Sequence, residues 1–150
     1  MRSEFGVLFL RASKSMRAAG ETAMRRHGLH LGQNLVLEVL WERDGRTPGE
    51  IAQLLHVTTP TVVKMATRMT AAGFLTRRRD DADNRLVRLY LTDLGRSLRE
   101  PVMAEMEHLD RRATADLTPE ERRHVETALA KMVRALEALG AEPVDHTDEV

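Results

Sequence analysis

The residues best suited to chemistry in this chain of 150 residues are basic ones, gathered between positions 58 and 85. No acidic residue occurs from Thr58 through Arg79. Lysine and arginine bind phosphate, and arginine also recognises guanine edges or the narrow minor groove. Contact with nucleic acid is therefore the chemistry that this segment suggests. Its basic residues are Lys64, Arg68, Arg77, Arg78, Arg79 and Arg85.

Two short helices and a hairpin must position these cations. The segment 47–55 reads as one helix, 56–58 as a tight turn, and a second helix opens with Thr59-Pro60 and ends at Gly73. A strand over 75–79, a tip over 80–85 and a returning strand over 86–91 follow. This is the layout of a winged helix-turn-helix, which lays one helix in the major groove and a β-ribbon along the neighbouring backbone or minor groove.

Apolar periodicity predicts which residues hold the two helices together. The expected packing residues are Ile51, Ala52, Leu55, Val57, Val62, Ala66 and Met69. The residues expected on the outward side of the second helix are Thr58, Thr59, Thr61, Lys64, Met65 and Arg68. At the hairpin tip, Asp83 can orient Arg85 through a carboxylate–guanidinium pair.

The rest of the chain predicts a mainly α fold with a small β-hairpin wing. Helices are expected over 5–26, which Gly28 ends, and over about 31–43. Proline and glutamate follow both Thr47 and Thr118 in the order of a capping box. Pro101 is expected to kink a long helix that starts at Thr92. In the last helix, Val125, Leu129, Met132, Leu136 and Leu139 form a coiled-coil-like seam that needs a partner helix.

Composition excludes several classes of protein. Net charge is zero, so a basic segment is balanced elsewhere, in part by Glu142, Asp145, Asp148 and Glu149 near the end of the chain. There is no cysteine, which excludes disulfides and thiolate sites. No membrane-spanning apolar run or signal-peptide pattern is present, so we expect a cytoplasmic protein. Phosphate loops, His-Glu-x-x-His and nucleophile elbows are also missing, so no enzyme activity and no cofactor are expected.

Several motifs together resemble the MarR family of bacterial multiple-antibiotic-resistance-type transcriptional regulators. They extend over roughly Phe5 to Leu139. The combination of an Asp-x-Arg wing with a following Leu-Thr-x-x-Gly sequence is the most specific part. The matching segments are 28–33, 51–58, 73–75, 83–85 and 89–95.

The resemblance implies a homodimer interlocked through its N- and C-terminal helices, which binds a pseudo-palindromic operator in double-stranded DNA. The chain is then one MarR-like domain, with dimerisation helices over 5–30 and 93–139, a winged lobe over 31–92 and a flexible acidic tail over 140–150. Regulation by repression is the commoner outcome in the family. The DNA contacts carried over are Thr58, Thr59, Pro60, Thr61, Lys64, Arg68, Arg77, Arg79, Asp83 and Arg85.

The resemblance also implies a small anionic or aromatic effector in a cleft between the dimer core and the winged lobes. Such a ligand fixes the lobes at a spacing unsuited to DNA. The candidate residues for this cleft are Arg11, Ser15, His27, His30, Asn34 and Trp41. Asn34 stands where the family often has an aromatic residue, and His30 where it typically has a hydroxyl helix cap.

Two alternatives remain open at the level of sequence. The winged helix can serve as a protein-interaction module without specific DNA binding, although the arginine hairpin argues against it. The histidines can instead make a metal-responsive regulator, although Gly28 separates His27 from His30 and no cysteine supports a metal site. A histidine here can also confer sensitivity to pH.

Overall fold

A computed structural model describes residues 3–140 and confirms a mainly α fold with a two-stranded wing. Apart from Gly140, the predicted acidic tail lies outside the described residues. No helix in the described part of the chain is long and apolar enough to span a membrane. The elements, in chain order, are α1 (Glu4–Arg25), α2 (Gln33–Glu42), α3 (Pro48–Leu55), α4 (Thr59–Ala71), β1 (Leu75–Arg79), β2 (Val87–Leu91), α5 (Asp93–Ser97), α6 (Arg99–Ala113) and α7 (Pro119–Ala138).

Helix α1 begins and ends with local signals. The Ser3 hydroxyl accepts a hydrogen bond from the Gly6 amide and caps its first turn. Gly28, with a φ of 73°, turns the chain beyond the end of the helix, as predicted. The next helix, α2, is the central element of the core, because Val36, Leu37 and Leu40 are almost entirely buried.

The helix-turn-helix is formed by α3, a tight turn and α4. The Thr47 capping box at the start of α3 is present as predicted. The turn uses a left-handed residue that is not glycine, His56, with a φ of 55°. The predicted packing residues all belong to the core or pack against it. One detail differs. The position of Pro60 predicts Thr59 as the N-cap of α4, but the N-cap is Thr58.

The wing is an antiparallel hairpin of β1 and β2, in a register that pairs Leu75 with Leu91 and Arg79 with Val87. Buried Leu75, Leu89 and Leu91 join the base of the hairpin to the core. A bridge between Arg46 and Leu89 extends the pairing to the turn that precedes α3. The wing is therefore fixed at its base and free at its tip.

The segment after the wing differs from the predicted continuous helix. It is interrupted at Leu98, so the expected kink is a break between α5 and α6. Pro101 follows in the first turn of α6, where its missing N–H costs no helical bond. The last helix, α7, has the predicted Thr118 capping box. None of its residues is buried within the described chain.

Candidate nucleic-acid interface

Helix α4 presents two cations on one face. Lys64 and Arg68 are four residues apart, so their side chains project from neighbouring turns on the same side. Both are exposed, and neither side chain has a hydrogen bond or an ion pair within the described residues. At the start of the helix Thr58, Thr59 and Pro60 are exposed as well. The side chains of Lys64, Arg68 and Thr59 are free to meet a phosphate backbone, and the helix N-terminus adds a favourable dipole.

Two of the residues expected on the outward side of α4 face inward. Thr61 is 3% exposed, and its hydroxyl lies 2.8 Å from the Thr58 hydroxyl. The amide of Thr61 donates to that same Thr58 oxygen at 3.4 Å. Met65 is half-buried against the core. The prediction that Thr61 and Met65 face outward was wrong, and the Thr61 side chain belongs to the helix cap.

The alternation of strand β1 separates its three arginines. Arg77 and Arg79 share a face of the hairpin with buried Leu75, whereas Arg78 points to the other face. On that other face the Arg78 guanidinium lies 4.9 Å from the centre of the Tyr90 ring. Arg77 and Arg79, the two arginines predicted to contact DNA, therefore lie on the hairpin face that also carries Leu75.

Arg77 links the wing to helix α4. Its guanidinium donates to the Thr67 hydroxyl at 2.5 Å and to the Val63 carbonyl at 3.5 Å. Sequence reasoning did not single out Thr67, although it lies three residues after Lys64 on an exposed part of the helix. The Arg79 side chain has no such bond among the described residues. Arg77 thus holds the wing against α4, while Arg79 is available to a ligand.

The wing tip presents Arg85 in a fixed orientation. The Arg85 side chain is 90% exposed. Its Nε and Nη2 donate to the two carboxylate oxygens of Asp83 at 3.0 and 3.2 Å, which is the predicted pair. These bonds from the Arg85 side chain, together with one from its amide, lower the pKa of Asp83. A charged arginine held in this way at the end of a ribbon suits the electronegative minor groove.

Arg88 holds the base of the wing, and the sequence reasoning missed it. Arg88 forms an ion pair with Asp80 and donates to the Gly45 carbonyl at 2.9 Å. The Arg88 bond and the amides of Asp83 and Ala82 lower the pKa of Asp80. The predicted bounds of the two strands already bring position 80 next to 86–88, so the register carried a usable signal for this pair.

The two histidine candidates for an effector cleft are each bonded to a glutamate. His27 Nε2 lies 3.4 Å from Glu105, and His30 Nδ1 lies 2.9 Å from Glu21. Burial raises the pKa of the Glu21 carboxyl, but hydrogen bonds from the Leu31 amide and from His30 outweigh this effect, so its pKa is lowered. These pairs tie the connection between α1 and α2 to its neighbours. No group of three or more metal-ligating side chains occurs among the described residues.

Asn34 and Trp41 also have internal partners. Asn34 is 1% exposed, accepts from the Gly32 amide at 3.0 Å and donates to Glu38 at 3.3 Å. The Trp41 indole donates to the Gly95 carbonyl at 3.0 Å while its ring packs against the core. Both side chains therefore stabilise the fold through these internal hydrogen bonds.

A groove of about 520 Å³ lies between α2 and α6, and it is acidic. Among the effector candidates it includes Asn34, whereas Arg11 and Ser15 are exposed on α1. Its described lining contains no basic residue, so it disfavours the anionic ligand that the resemblance implied. The carboxylates that line it are Glu38, Glu100, Glu107 and Asp110.

The winged helix-turn-helix segment is similar in sequence to known transcriptional regulators. Residues 29–87 match the sequence model of the MarR family. The HTH-type transcriptional regulator TtmR of Methylorubrum extorquens (strain PA1) is 36% identical over 88 residues. That match covers 59% of this chain and 45% of TtmR, so the chain spans about half the length of this relative.

Two solved structures share the fold over most of the chain. S. aureus MepR, solved as a complex with DNA, superposes with a TM-score of 0.82 at 24% identity. That alignment covers 90% of this chain and 100% of MepR. Bordetella bronchiseptica BpsR, whose DNA binding is regulated by 6-hydroxynicotinic acid, superposes with a TM-score of 0.76 at 26% identity. That alignment covers 87% of this chain and 99% of BpsR.

Proposed function

We propose that this chain, whose residues 29–87 match the sequence model of the MarR family, is a sequence-specific, DNA-binding transcriptional regulator of that family. One observation carries the proposal. Lys64, Arg68 and Arg79 present side chains that have no partner within the described chain, and Arg85 has one partner, Asp83, which orients it. Lys64 and Arg68 serve the recognition helix, Arg79 the adjoining backbone, and Arg85 the minor groove.

We further propose that the protein acts as a homodimer on a pseudo-palindromic operator. The support is the last helix, whose Val125, Leu129 and Leu136 are between 42% and 51% exposed in the single chain. A partner copy would cover this apolar seam. Phe5 and Leu8 of α1, which are 59% and 55% exposed, would extend the covered surface.

Repression follows from operator occupancy, and an effector can relieve it by fixing the lobes at an unsuitable spacing. For the effector, the acidic groove beside Asn34 supports a cationic or neutral ligand more than an anionic one. The measurement is a thermal-shift screen followed by operator release. A ligand that raises the melting temperature must also weaken DNA binding if it is an effector.

Salt dependence separates DNA binding from the alternative of a protein-interaction module. Each phosphate neutralised by Lys64, Arg68 or a similar cation makes the slope of log K against log salt steeper by about 0.9. We expect a slope of several units in a gel-shift titration on duplex DNA. A flat or undetectable dependence would favour the interaction module.

A further inference from the structure

We propose that Arg88 is a positioning residue that holds the wing so that Arg85 is presented to DNA. The proposal rests on the proposed function, since it concerns how that interface is built. It also assigns Arg88 a role without contact to DNA, unlike the cations of α4 and the wing tip. Three sets of contacts support it.

The first set anchors Arg88 to the body of the lobe. Its Nη1 donates to the Gly45 carbonyl at 2.9 Å and lies 3.6 Å from Glu50 Oε2. Glu50 is itself fixed, because its carboxylate accepts from the Thr47 amide at 2.7 Å in the capping box of α3. The Arg88 side chain is 28% exposed, so it lies in the lobe rather than above it.

The second set carries this anchor to the tip. Nε of Arg88 pairs with Asp80 Oδ2, while Asp80 Oδ1 accepts from the amides of Ala82 and Asp83 at 2.8 and 3.0 Å. One carboxylate therefore binds the anchor with one oxygen and shapes the tip backbone with the other. Without Arg88, Asp80 would lose the partner that fixes its own rotamer.

The third set ends on Arg85. Asp83, whose amide Asp80 holds, accepts from the Arg85 amide at 3.1 Å and from its guanidinium. A series of hydrogen bonds thus runs from the Gly45 carbonyl, in the turn before α3, to Arg85, and the ion pair with Glu50 joins it to α3. Its order is Arg88, Asp80, Asp83, Arg85.

Position and charge argue that Arg88 does not contact DNA itself. Arg88 pairs with Arg78 in the hairpin register, on the face opposite that of Arg77 and Arg79. Two carboxylates, Asp80 and Glu50, already neutralise it. Arginine suits the role because its planar guanidinium donates in several directions at once, which a lysine ammonium cannot do in the same geometry.

A double-mutant cycle tests the proposal, using duplex DNA selected from a random pool by the full chain. We expect Arg85→Ala and Arg88→Gln each to weaken binding by a factor of about ten. Because both act through the same contact, the double variant should bind about as well as either single one. Asp80→Asn keeps an oxygen for the tip amides but removes the ion pair, so it should reproduce Arg88→Gln.

Arg78→Gln is the matched control, because it removes a charge from the same face of the hairpin without touching Asp80. We expect binding within about twofold of the unmodified protein. An equal loss for Arg78→Gln and Arg88→Gln would show that only positive charge on this face matters, and it would overturn the proposal.

The readouts separate the failure of positioning from the failure of DNA binding. Additive losses, with the salt slope lowered by about one unit for Arg88→Gln even when Arg85 is absent, would make Arg88 a phosphate contact and refute positioning. In free protein, faster amide exchange of Ala82 and Asp83 in Arg88→Gln, with an unchanged melting temperature, would support it. Undetectable salt-dependent binding by the unmodified protein would instead refute the proposed function.

Discussion

We expect the proposed DNA interface to depend most on Arg85, because the hairpin tip presents a single exposed guanidinium bound to a single carboxylate. The Asp83 pair removes rotamer freedom that Arg85 would otherwise lose on binding. The pair is exposed, so its contribution to folding is small. Its value lies in the direction in which the charge points.

We predict that Arg85→Ala weakens operator binding about tenfold and leaves the free energy of unfolding almost unchanged. A gel-shift titration and a denaturant melt measure the two quantities. Arg112→Ala, at an exposed arginine on α6, is the control and should bind normally. Full affinity in the Arg85 variant would mean that the wing tip does not contact DNA.

Lys64 and Arg68 differ from Arg85 in what they are expected to contribute. We predict that Lys64→Ala and Arg68→Ala each reduce the salt slope by about one unit, since each side chain is free to neutralise a phosphate. Gel-shift titrations between low and moderate salt provide the slope. A variant whose slope equals that of the unmodified protein has lost no phosphate contact.

Thr61 shows that the residue types around Pro60 do not determine which side chains of α4 face outward. Three threonines surround Pro60, and any of them can cap a helix or face a ligand. Capping by Thr58 sets the phase of α4 and turns Thr61 into the lobe, where it is 3% exposed. The phase of a helix depends on its exact first residue, and a shift of one residue rotates every side chain by about 100°.

Among the elements, the junction between the wing and α5 explains the Leu-Thr-x-x-Gly sequence physically. The Thr92 hydroxyl accepts from the Gly95 amide at 3.0 Å and donates to the Gly73 carbonyl at 2.6 Å. A Cβ on Gly95 would lie 2.3 Å from the Phe74 carbonyl oxygen. The helix after the wing therefore packs directly on the backbone that leaves α4.

We predict that Gly95→Ala destabilises the fold by at least about 2 kcal/mol, because backbone has to move to admit the methyl group. A thermal melt should show a fall of about 5 °C or more. Gly49→Ala is the control, since a Cβ there meets nothing closer than Thr47 Oγ1 at 3.9 Å. Equal melting temperatures for the two variants would contradict the close approach at Gly95.

The sequence predicted elements well where a local signal was strong. The two capping boxes gave the starts of α3 and α7, and alternation with turn residues gave β1 to the residue. The break at Leu98 was less predictable, because a proline marks a disturbance without fixing where the helix divides. The Arg88–Asp80 pair also escaped, since its importance depends on Gly45 and Glu50, which are remote in sequence.

At the scale of the whole molecule, α7 is the element that a single chain does not explain. It has a capping box and a regular apolar seam, yet it buries no residue among those described. The sequence does not determine where an effector cleft lies, because the six candidate residues do not line one groove in the single chain. A cleft that depends on a second copy cannot be predicted from the spacing of residues in one chain.

We predict that Leu129→Asp or Leu136→Asp converts a dimer into monomers, because a charge in an apolar seam has no partner there. Analytical ultracentrifugation measures the mass of each variant. Lys131→Asp, at an exposed position outside the seam, should remain dimeric. A dimer that persists in both leucine variants would mean that another surface joins the copies.

Selection of bound duplexes from a random DNA pool tests the central claim most directly, since it examines function, symmetry and spacing together. A two-fold dimer with one recognition helix per lobe predicts an enriched palindrome whose half-sites are centred about 10 base pairs apart, or 34–36 Å. Binding should also weaken steeply as salt rises. Recovery of no enriched sequence, at salt low enough for non-specific binding to occur, would contradict the account.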